Sequence, residues 1–215
     1  MTETVTAPAT GAPHGKPAPK EWQIDYSKPA GEAAYLSPDS VQWRIMKNPL
    51  VMGIGGVAAV LLEFADARIR SGVWDHSVYK IDPIGRSRRT GVAAMVGTYG
   101  PQSMARRVIG AVNRMHTKVE GETPKGEYYR ALDPELLNWV SATASYGFIK
   151  AYDKFVTPLS AEEKARFWRE GHVVASLYGV ERSPRSEAEF LEMMDELLPR
   201  FEPHPIVDEF LNIIT

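Results

Sequence analysis

Apolar residues recur every three or four positions along most of this chain, which is the period of an amphipathic helix. No segment alternates convincingly between apolar and polar residues, so strands are not predicted. Helix-start signals support this interpretation: Asp133 precedes Pro134, and Ser160 stands three residues before Glu163 in a capping box. The predicted helices begin near residue 39 and then cover 50–64, 84–96, 102–116, 134–155, 160–178, 186–199 and 205–214. We therefore predict an all-α fold of about seven or eight helices.

The two ends of the chain differ in this pattern. Residues 1–36 carry no helical period and begin with a stretch rich in Thr, Ala, Pro and Gly, so we predict a disordered N-terminal tail there. Residues 37–215 are predicted to form one globular helical domain, since 44% hydrophobic residues over this length can bury a core. The apolar period continues to residue 214, so either the C-terminus docks on the core or the sequence is shorter than its natural relatives.

Composition narrows the classes of function. A net charge of −2 and a pI of about 6.2 give no overall electrostatic reason to expect nucleic acid or an anionic membrane surface as a partner. The chain has no cysteine, so a metal or metallo-cofactor must be held by His, carboxylate or Tyr side chains. The most apolar run, 49–65, is interrupted by glycines and is shorter than the roughly 20 residues of a membrane span. We therefore expect a buried core helix in a cytoplasmic protein.

The stretch from Arg86 to Trp139 carries the best candidates for chemistry. Arg86 and Thr90 stand four residues apart, so their side chains share one face of a helix, and His116 ends the next helix. Two facing helices could present an imidazole and an Arg/Thr pair to one cavity. The residues taken alone favour a plainer interpretation, in which His116 stabilises a helix C-terminus and the arginines form a solvated face.

Other polar features are weaker candidates. His76 lies in a polar cluster with Trp74 and Asp75 that we predict to be a loop, where it has either a functional or a turn-forming role. His172 stands alone within a helix, which is more typical of a structural residue. The glycine run at 53–56 lacks the preceding strand and the full fingerprint of a dinucleotide site, so we interpret it as close helix packing.

Taken together, several spaced elements resemble the all-helical oxygenase family that contains the latex-clearing protein, a b-type haem rubber oxygenase, and the fungal MpaB oxygenase. The similarity covers about residues 37–215. Its strongest parts are the segments Gly72–Ser77, Asp82–Thr90, Met115–Gly121 and Tyr129–Val140. Their order along the chain makes the resemblance specific, although each segment alone would be weak.

The resemblance implies a function and a site. His116 would be the axial ligand of a haem b iron, and Arg86 and Thr90 would lie on the oxygen-binding side as catalytic residues, in contact with the cofactor. Arg89 falls where the family has a lysine that approaches the iron, but a guanidinium stays protonated and is a poor ligand. The implied protein is an oxygenase that acts with dioxygen on a small hydrophobic substrate, with Tyr99, Trp139 and Tyr146 as candidate pocket lining.

Two departures from the family pattern limit what carries over. Ser141 stands where the family often has a histidine after a Trp-Val pair. The position that matches the rubber oxygenase's proposed catalytic glutamate is Arg70, with Glu63 as an alternative match at a different offset. Rubber cleavage therefore does not carry over. The alternatives to an oxygenase are a non-enzymatic helical protein that binds haem or a lipid, and a haem storage or sensing protein.

Overall fold

The computed structural model describes residues 24–78 and 81–214, and within these ranges the regular secondary structure is helical apart from one small β-hairpin. This confirms the all-α prediction, with nine α-helices in the described ranges where about seven or eight were predicted. The helices are α1 Val41–Met46, α2 Pro49–Glu63, α3 Ala67–His76, α4 Pro83–Tyr99, α5 Gln102–His116, α6 Pro134–Phe155, α7 Ala161–Ala175, α8 Glu187–Leu197 and α9 Ile206–Ile214. Short 3₁₀ turns follow α7 at Ser176–Tyr178 and α8 at Leu198–Arg200.

The helix α3 is one element that the sequence pattern missed. The segment around Trp74 and His76 was predicted to be a loop, and that prediction is wrong because Ala67–His76 is helical. Two of its arginines are buried: Arg68 pairs with Asp66 at 2.7 Å and with Glu135 at 2.6 Å. Buried charges at core-facing positions hide the helical period from a hydrophobicity pattern.

A short antiparallel hairpin is the second difference. Strand β1 is Glu120–Glu122 and strand β2 is Tyr128–Arg130, with Gly121 opposite Tyr129. The prediction of a chain without strands is therefore wrong in this segment, where residues 123–127 form the turn between the two strands. Tyr129 is buried under the hairpin and its hydroxyl donates to Asp75 Oδ2 at 3.1 Å, which fixes the hairpin to α3.

The closest helix–helix packing joins α2 and α6 through two glycines. A Cβ atom on Gly55 would lie 2.9 Å from the Gly147 carbonyl carbon and oxygen, so only glycine permits this approach. The prediction that the 53–56 run serves close packing is confirmed at Gly55. It is wrong at Gly53 and Gly56, because a Cβ atom there would meet nothing within 4 Å.

Aromatic rings fill the core between α6 and α8. Trp139 is fully buried and stacks on Phe190 with ring centroids 5.6 Å apart, and Tyr146 stacks on the same ring at 4.2 Å. Tyr99 donates its hydroxyl to the Trp43 carbonyl at 2.8 Å. Tyr99, Trp139 and Tyr146, which were candidates for pocket lining, therefore have structural contacts in the packed interior.

The ordered part of the chain begins before Ser37. Ala34 forms a bridge with Pro101, Leu36 is buried, and Glu32 accepts hydrogen bonds from Ser103. Residues 1–23 of the predicted tail lie outside the described residues. Within the described ranges, no helix combines the length and the apolarity needed to cross a membrane.

Candidate functional site

The helical hairpin of α4 and α5 positions the candidate site residues. Asp82 caps the start of α4 by accepting from the Gly85 amide at 2.8 Å, and Gly100-Pro101 turns the chain into α5. Arg86 lies in the first turn of α4 and His116 is the last residue of α5, so each lies at the end of its helix that is farther along the chain from this turn. The end of α3 adjoins the same region, where His76 Nε2 lies 3.2 Å from the Glu120 carbonyl oxygen.

His116 has the environment of a neutral imidazole. The side chain is half-buried, and this burial lowers its pKa below the ordinary value of 6.5. Its Nδ1 atom is buried with no hydrogen-bond partner among the described residues, and so is Oδ1 of Asn113, one turn earlier on α5. Burial opposes the alternative in which a charged imidazolium stabilises the helix end, and a neutral ring is the form that binds a metal.

Glu63 and Arg86 are brought together by the fold. Glu63 ends the apolar helix α2, and its carboxyl group is enclosed although the residue keeps some exposure. Burial raises its pKa from the ordinary 4.5 to about 7, while the nearby Arg86 charge and a hydrogen bond from Thr143 act in the opposite direction. The Thr143 hydroxyl on α6 lies 3.2 Å from Glu63 Oε1 and 2.9 Å from the Val140 carbonyl oxygen.

Arg70 and Glu63, the two positions considered for the rubber oxygenase's glutamate, have different surroundings. Arg70 is buried in a structural role, with its guanidinium donating to the Phe64 carbonyl at 2.8 Å and pairing with Glu202 at 2.5 Å. Glu63 instead accepts a hydrogen bond from Thr143, and the charge of Arg86 acts to lower its pKa. The sequence signal for Glu63 was an acidic residue at the end of an otherwise apolar helix, and nothing in the sequence indicated its partner Thr143.

Two other predicted site residues face solvent. Thr90 is exposed on α4, and Arg89 is exposed and lies 3.6 Å from Asp82. His76 is the last residue of α3 and lies next to the β-hairpin, where its ring packs edge-on against the Tyr129 ring with centroids 6.3 Å apart. His172 is exposed on α7 beside Ser183. In the part of the chain that the structure describes, no group of three or more His, Asp or Glu side chains is arranged to hold a metal ion.

An apolar groove of about 590 Å³ runs between α2, α4 and α9. It is lined by Met52, Gly53, Pro83, Ile84, Ser87, Arg88, Gly91, Ile213 and Ile214. A Cβ atom on Gly53 or Gly91 would meet no atom within 4 Å, so these glycines leave the groove open. The groove gives the region around α4 a surface suited to apolar ligands.

The raised pKa of Glu63 predicts a pH-dependent stability. The folded protein holds the Glu63 proton more tightly than the unfolded chain does. The contribution of this group to the free energy of unfolding is therefore fully present below about pH 4.5 and is lost as the pH rises through about 7. Glu63→Gln removes this loss, which is on the order of 3 kcal/mol for a pKa raised from 4.5 to about 7. Urea unfolding across this range should show the wild-type stability falling relative to the variant as pH rises.

The control for this measurement is Glu196→Gln. Glu196 is exposed and paired with Arg182, which lowers its pKa. The difference in free energy of unfolding between the wild type and Glu196→Gln should change in the opposite direction. The wild type should gain stability relative to this variant as the pH rises. A flat difference for Glu63→Gln would contradict the buried, proton-holding carboxyl described above.

Comparisons with known proteins bear on this site. Residues 43–214 match the family described as "ER-bound oxygenase mpaB/B'/Rubber oxygenase, catalytic domain". The chain is also similar to the uncharacterized proteins Mb2261 of Mycobacterium bovis and Rv2237 of Mycobacterium tuberculosis, each 31% identical over 107 residues. These matches cover 47% of this chain and only 42% of each relative's length. No solved structure matches the chain.

Proposed function

Because this chain belongs to the family of ER-bound oxygenase mpaB/B′ and rubber oxygenase catalytic domains, we propose that it is a haem b-dependent oxygenase acting with dioxygen on a small hydrophobic substrate. The family match itself indicates an oxygenase-type function. The haem, the substrate class and the roles of individual residues are our proposal. We also propose a cytoplasmic location, because the apolar helix α2 has 15 residues and is packed against α6.

The observation that carries the proposal is the imidazole of His116. It is half-buried, burial favours its neutral form, and one ring nitrogen has no hydrogen-bond partner among the described side chains and backbone. A haem iron takes four nitrogens from its porphyrin and needs only one axial side chain from the protein. The residues present therefore fit a haem held by His116.

The residues of α4 supply the second part of the proposal. Haem, when bound, would supply the iron that activates dioxygen. Arg86 and Thr90 share a face of α4 and would donate hydrogen bonds on the oxygen-binding side, where a fixed cation stabilises developing negative charge. Arg89 would remain protonated and paired with Asp82, so it contributes charge at the rim and not a ligand to the iron.

The apolar groove supports a hydrophobic substrate. Its walls combine Met52 and Ile84 with Ile213, and such exposed apolar side chains favour a ligand with an apolar body. The same groove favours the alternative of a non-enzymatic lipid-binding protein. The two functions differ in whether dioxygen is consumed.

Oxygen consumption by the haem-loaded protein with small apolar alkenes tests the proposal. We expect Arg86→Ala to keep its haem absorption but to lose about 100-fold in the rate of oxygen consumption, since it removes a hydrogen-bond donor from the oxygen side. The control Arg107→Ala, an exposed arginine on α5, should match the wild type. Equal rates in Arg86→Ala and wild type would contradict the assigned role, and a haem-loaded wild type that consumes no oxygen with any alkene would favour the binding protein.

A further inference from the structure

The last turn of α5 carries two enclosed polar atoms that lack hydrogen bonds. Oδ1 of Asn113 and Nδ1 of His116 are both buried, and neither has a partner among the described residues. An unpaired buried polar atom costs stability, so two such atoms this close along the chain call for a physical explanation. One hydrogen bond between them would satisfy both.

The spacing of the two residues favours this hydrogen bond. Asn113 and His116 stand three residues apart on α5, so they share one face of the helix with Cβ atoms about 5–6 Å apart. The backbone of His116 is held in place, because its carbonyl oxygen accepts from the Val119 amide at 3.1 Å. The imidazole can still turn about its Cβ–Cγ bond, which is a soft torsion. This torsion is the freedom that would bring Nδ1 to the amide oxygen.

The Asn113 amide is held in one orientation from the other side. Its Nδ2 atom donates to the Leu177 carbonyl oxygen at 2.9 Å, in the 3₁₀ turn that follows α7. A carbonyl oxygen can only accept, so the amide nitrogen must face Leu177, and Oδ1 is the atom left to accept. Leu177 itself packs against the apolar cluster around Ile109 on α5. The acceptor is therefore fixed on a packed interface.

The types of the unpaired atoms identify the partners. Three buried side-chain polar atoms lack a partner within the described ranges, and the third is Trp139 Nε1, which can only donate and lies in the core against Phe190. The amide oxygen of Asn113 is the acceptor of this set. A neutral imidazole nitrogen donates only when it carries the proton. The two atoms on α5 therefore match in one tautomer of His116, the one with the proton on Nδ1.

This tautomer leaves the other ring nitrogen free to bind a metal. Nδ1 is the enclosed nitrogen of the half-buried His116 ring, so a ligand from outside the chain approaches Nε2. A histidine that binds a metal through one nitrogen almost always donates the N–H of the other to an acceptor, which fixes the tautomer and the orientation of the ring. In this chain Asn113 is placed to be that acceptor.

We propose that Asn113 positions His116: its amide oxygen accepts a hydrogen bond from Nδ1–H and so selects the tautomer whose Nε2 is free to bind the haem iron. This inference rests on the proposed function, because it deepens the role assigned to His116. Asn113 acts through the ring and does not touch the iron, so it is a positioning residue. The hydrogen bond also makes the imidazole a stronger electron donor.

Nuclear magnetic resonance of the haem-free protein, labelled with ¹⁵N in its histidine rings, tests the tautomer. At about pH 9 the His116 ring is neutral, since burial lowers its pKa below 6.5, and the chemical shift of each ring nitrogen shows whether it carries the proton. We expect the proton on Nδ1 in the wild type and in Asn113→Asp, which keeps an oxygen acceptor. Asn113→Leu removes the acceptor and should shift the tautomer ratio toward Nε2–H by about tenfold.

The haem-loaded protein gives a second readout. Loss of the hydrogen bond weakens the imidazole as a donor, so resonance Raman spectra of ferrous Asn113→Leu should show the iron–histidine stretching band at a lower frequency than in the wild type. Transfer of haem from this variant to excess apomyoglobin should be about tenfold faster. Asn113→Asp should keep the band at or above the wild-type frequency, because a carboxylate is the stronger acceptor.

The control is Asn138→Leu, which removes a structural asparagine elsewhere. Oδ1 of Asn138 accepts from the amides of Glu181 and Arg182 at 3.0 and 3.1 Å. This variant loses side-chain hydrogen bonds without altering the surroundings assigned to His116. Its tautomer ratio, its stretching band and its rate of haem transfer should match those of the wild type.

The two variants at position 113 separate positioning from structure. Both lose the donor to the Leu177 carbonyl, but Asn113→Asp keeps an acceptor for His116. A role limited to packing would change both variants alike. A proton on Nε2 in the wild type, an equal tautomer ratio in the wild type and Asn113→Leu, or the same shift in both variants would overturn the proposal.

The outcome is distinguishable from failure of the proposed oxygenase function. An Nδ1–H tautomer that depends on Asn113, in a protein that takes up no haem, would support the contact with His116 and contradict the haem assignment. A protein that holds haem through His116, with a tautomer ratio and a stretching band that Asn113→Leu leaves unchanged, would contradict only the role of Asn113.

Discussion

Replacing Gly147 by leucine is expected to destabilise the protein by about 3 kcal/mol, because it forces side-chain atoms into the closest approach of two helices. A Cβ atom at position 147 would lie 3.1 Å from the Gly55 carbonyl carbon, and it would contact the Gly55 carbonyl oxygen more closely still. These are backbone atoms, which cannot move aside as a flexible side chain does. The helices α2 and α6 must therefore separate, and the packing on both sides of Gly147 is lost.

Thermal unfolding followed by far-ultraviolet circular dichroism measures this effect, with Gly147→Ala as the smaller step. The control is Gly53→Ala on α2, where a Cβ atom meets nothing within 4 Å. That substitution should stabilise the protein by about 0.5–1 kcal/mol, because alanine has the higher helix propensity. A Gly147→Leu variant as stable as wild type would contradict the α2–α6 packing on which the position of Glu63 depends.

The helices that carry the candidate site were predictable from local signals. Asp82 and Asp133 each cap a helix whose first residue is proline, and Gly179 ends the α7 segment with a positive φ of 88°. Each of these signals involves residues within one helical turn of each other, so the local sequence is enough to predict where the helix begins or ends. The structure confirms α4, α5 and α6 close to their predicted bounds.

Helix α3 and the β-hairpin depend on contacts with residues distant in sequence, which a local pattern cannot predict. Arg68 and Arg70 are buried because Glu135 and Glu202, far along the chain, pair with them. A hydrophobicity pattern counts such arginines as exposed positions, so the helical period disappears. The two strands of the β-hairpin have three residues each, which is too short for an alternation of apolar and polar residues to be detected in the sequence.

The candidate site was predictable in part. The resemblance indicated His116 and Arg86 as site residues, and the helices that carry them, α5 and α4, were predicted from the local pattern. The resemblance left Arg70 and Glu63 as alternatives for one acidic position. The surroundings of both residues depend on contacts distant in sequence, since Arg70 pairs with Glu202 and Glu63 accepts from Thr143.

Helix α2 is apolar along most of its length, but only Val51, Gly55 and Ala59 are buried. Stability alone would favour burying every apolar side of such a helix. Met52 and Gly56 on this helix nevertheless keep part of their surface accessible. A bound haem and an apolar substrate would cover such surface, and ligand binding would then stabilise the folded protein.

The most direct test of the haem assignment is the absorption spectrum of the protein expressed with ample haem precursor, beside the variants His116→Ala and His172→Ala. His172 is an exposed histidine on α7 and serves as the matched control. We expect a Soret band in the wild type and in His172→Ala, and its complete loss in a folded His116→Ala variant, because no other axial ligand is assigned to the iron. A folded wild type without a Soret band, or a band of equal strength in His116→Ala, would contradict the proposed function.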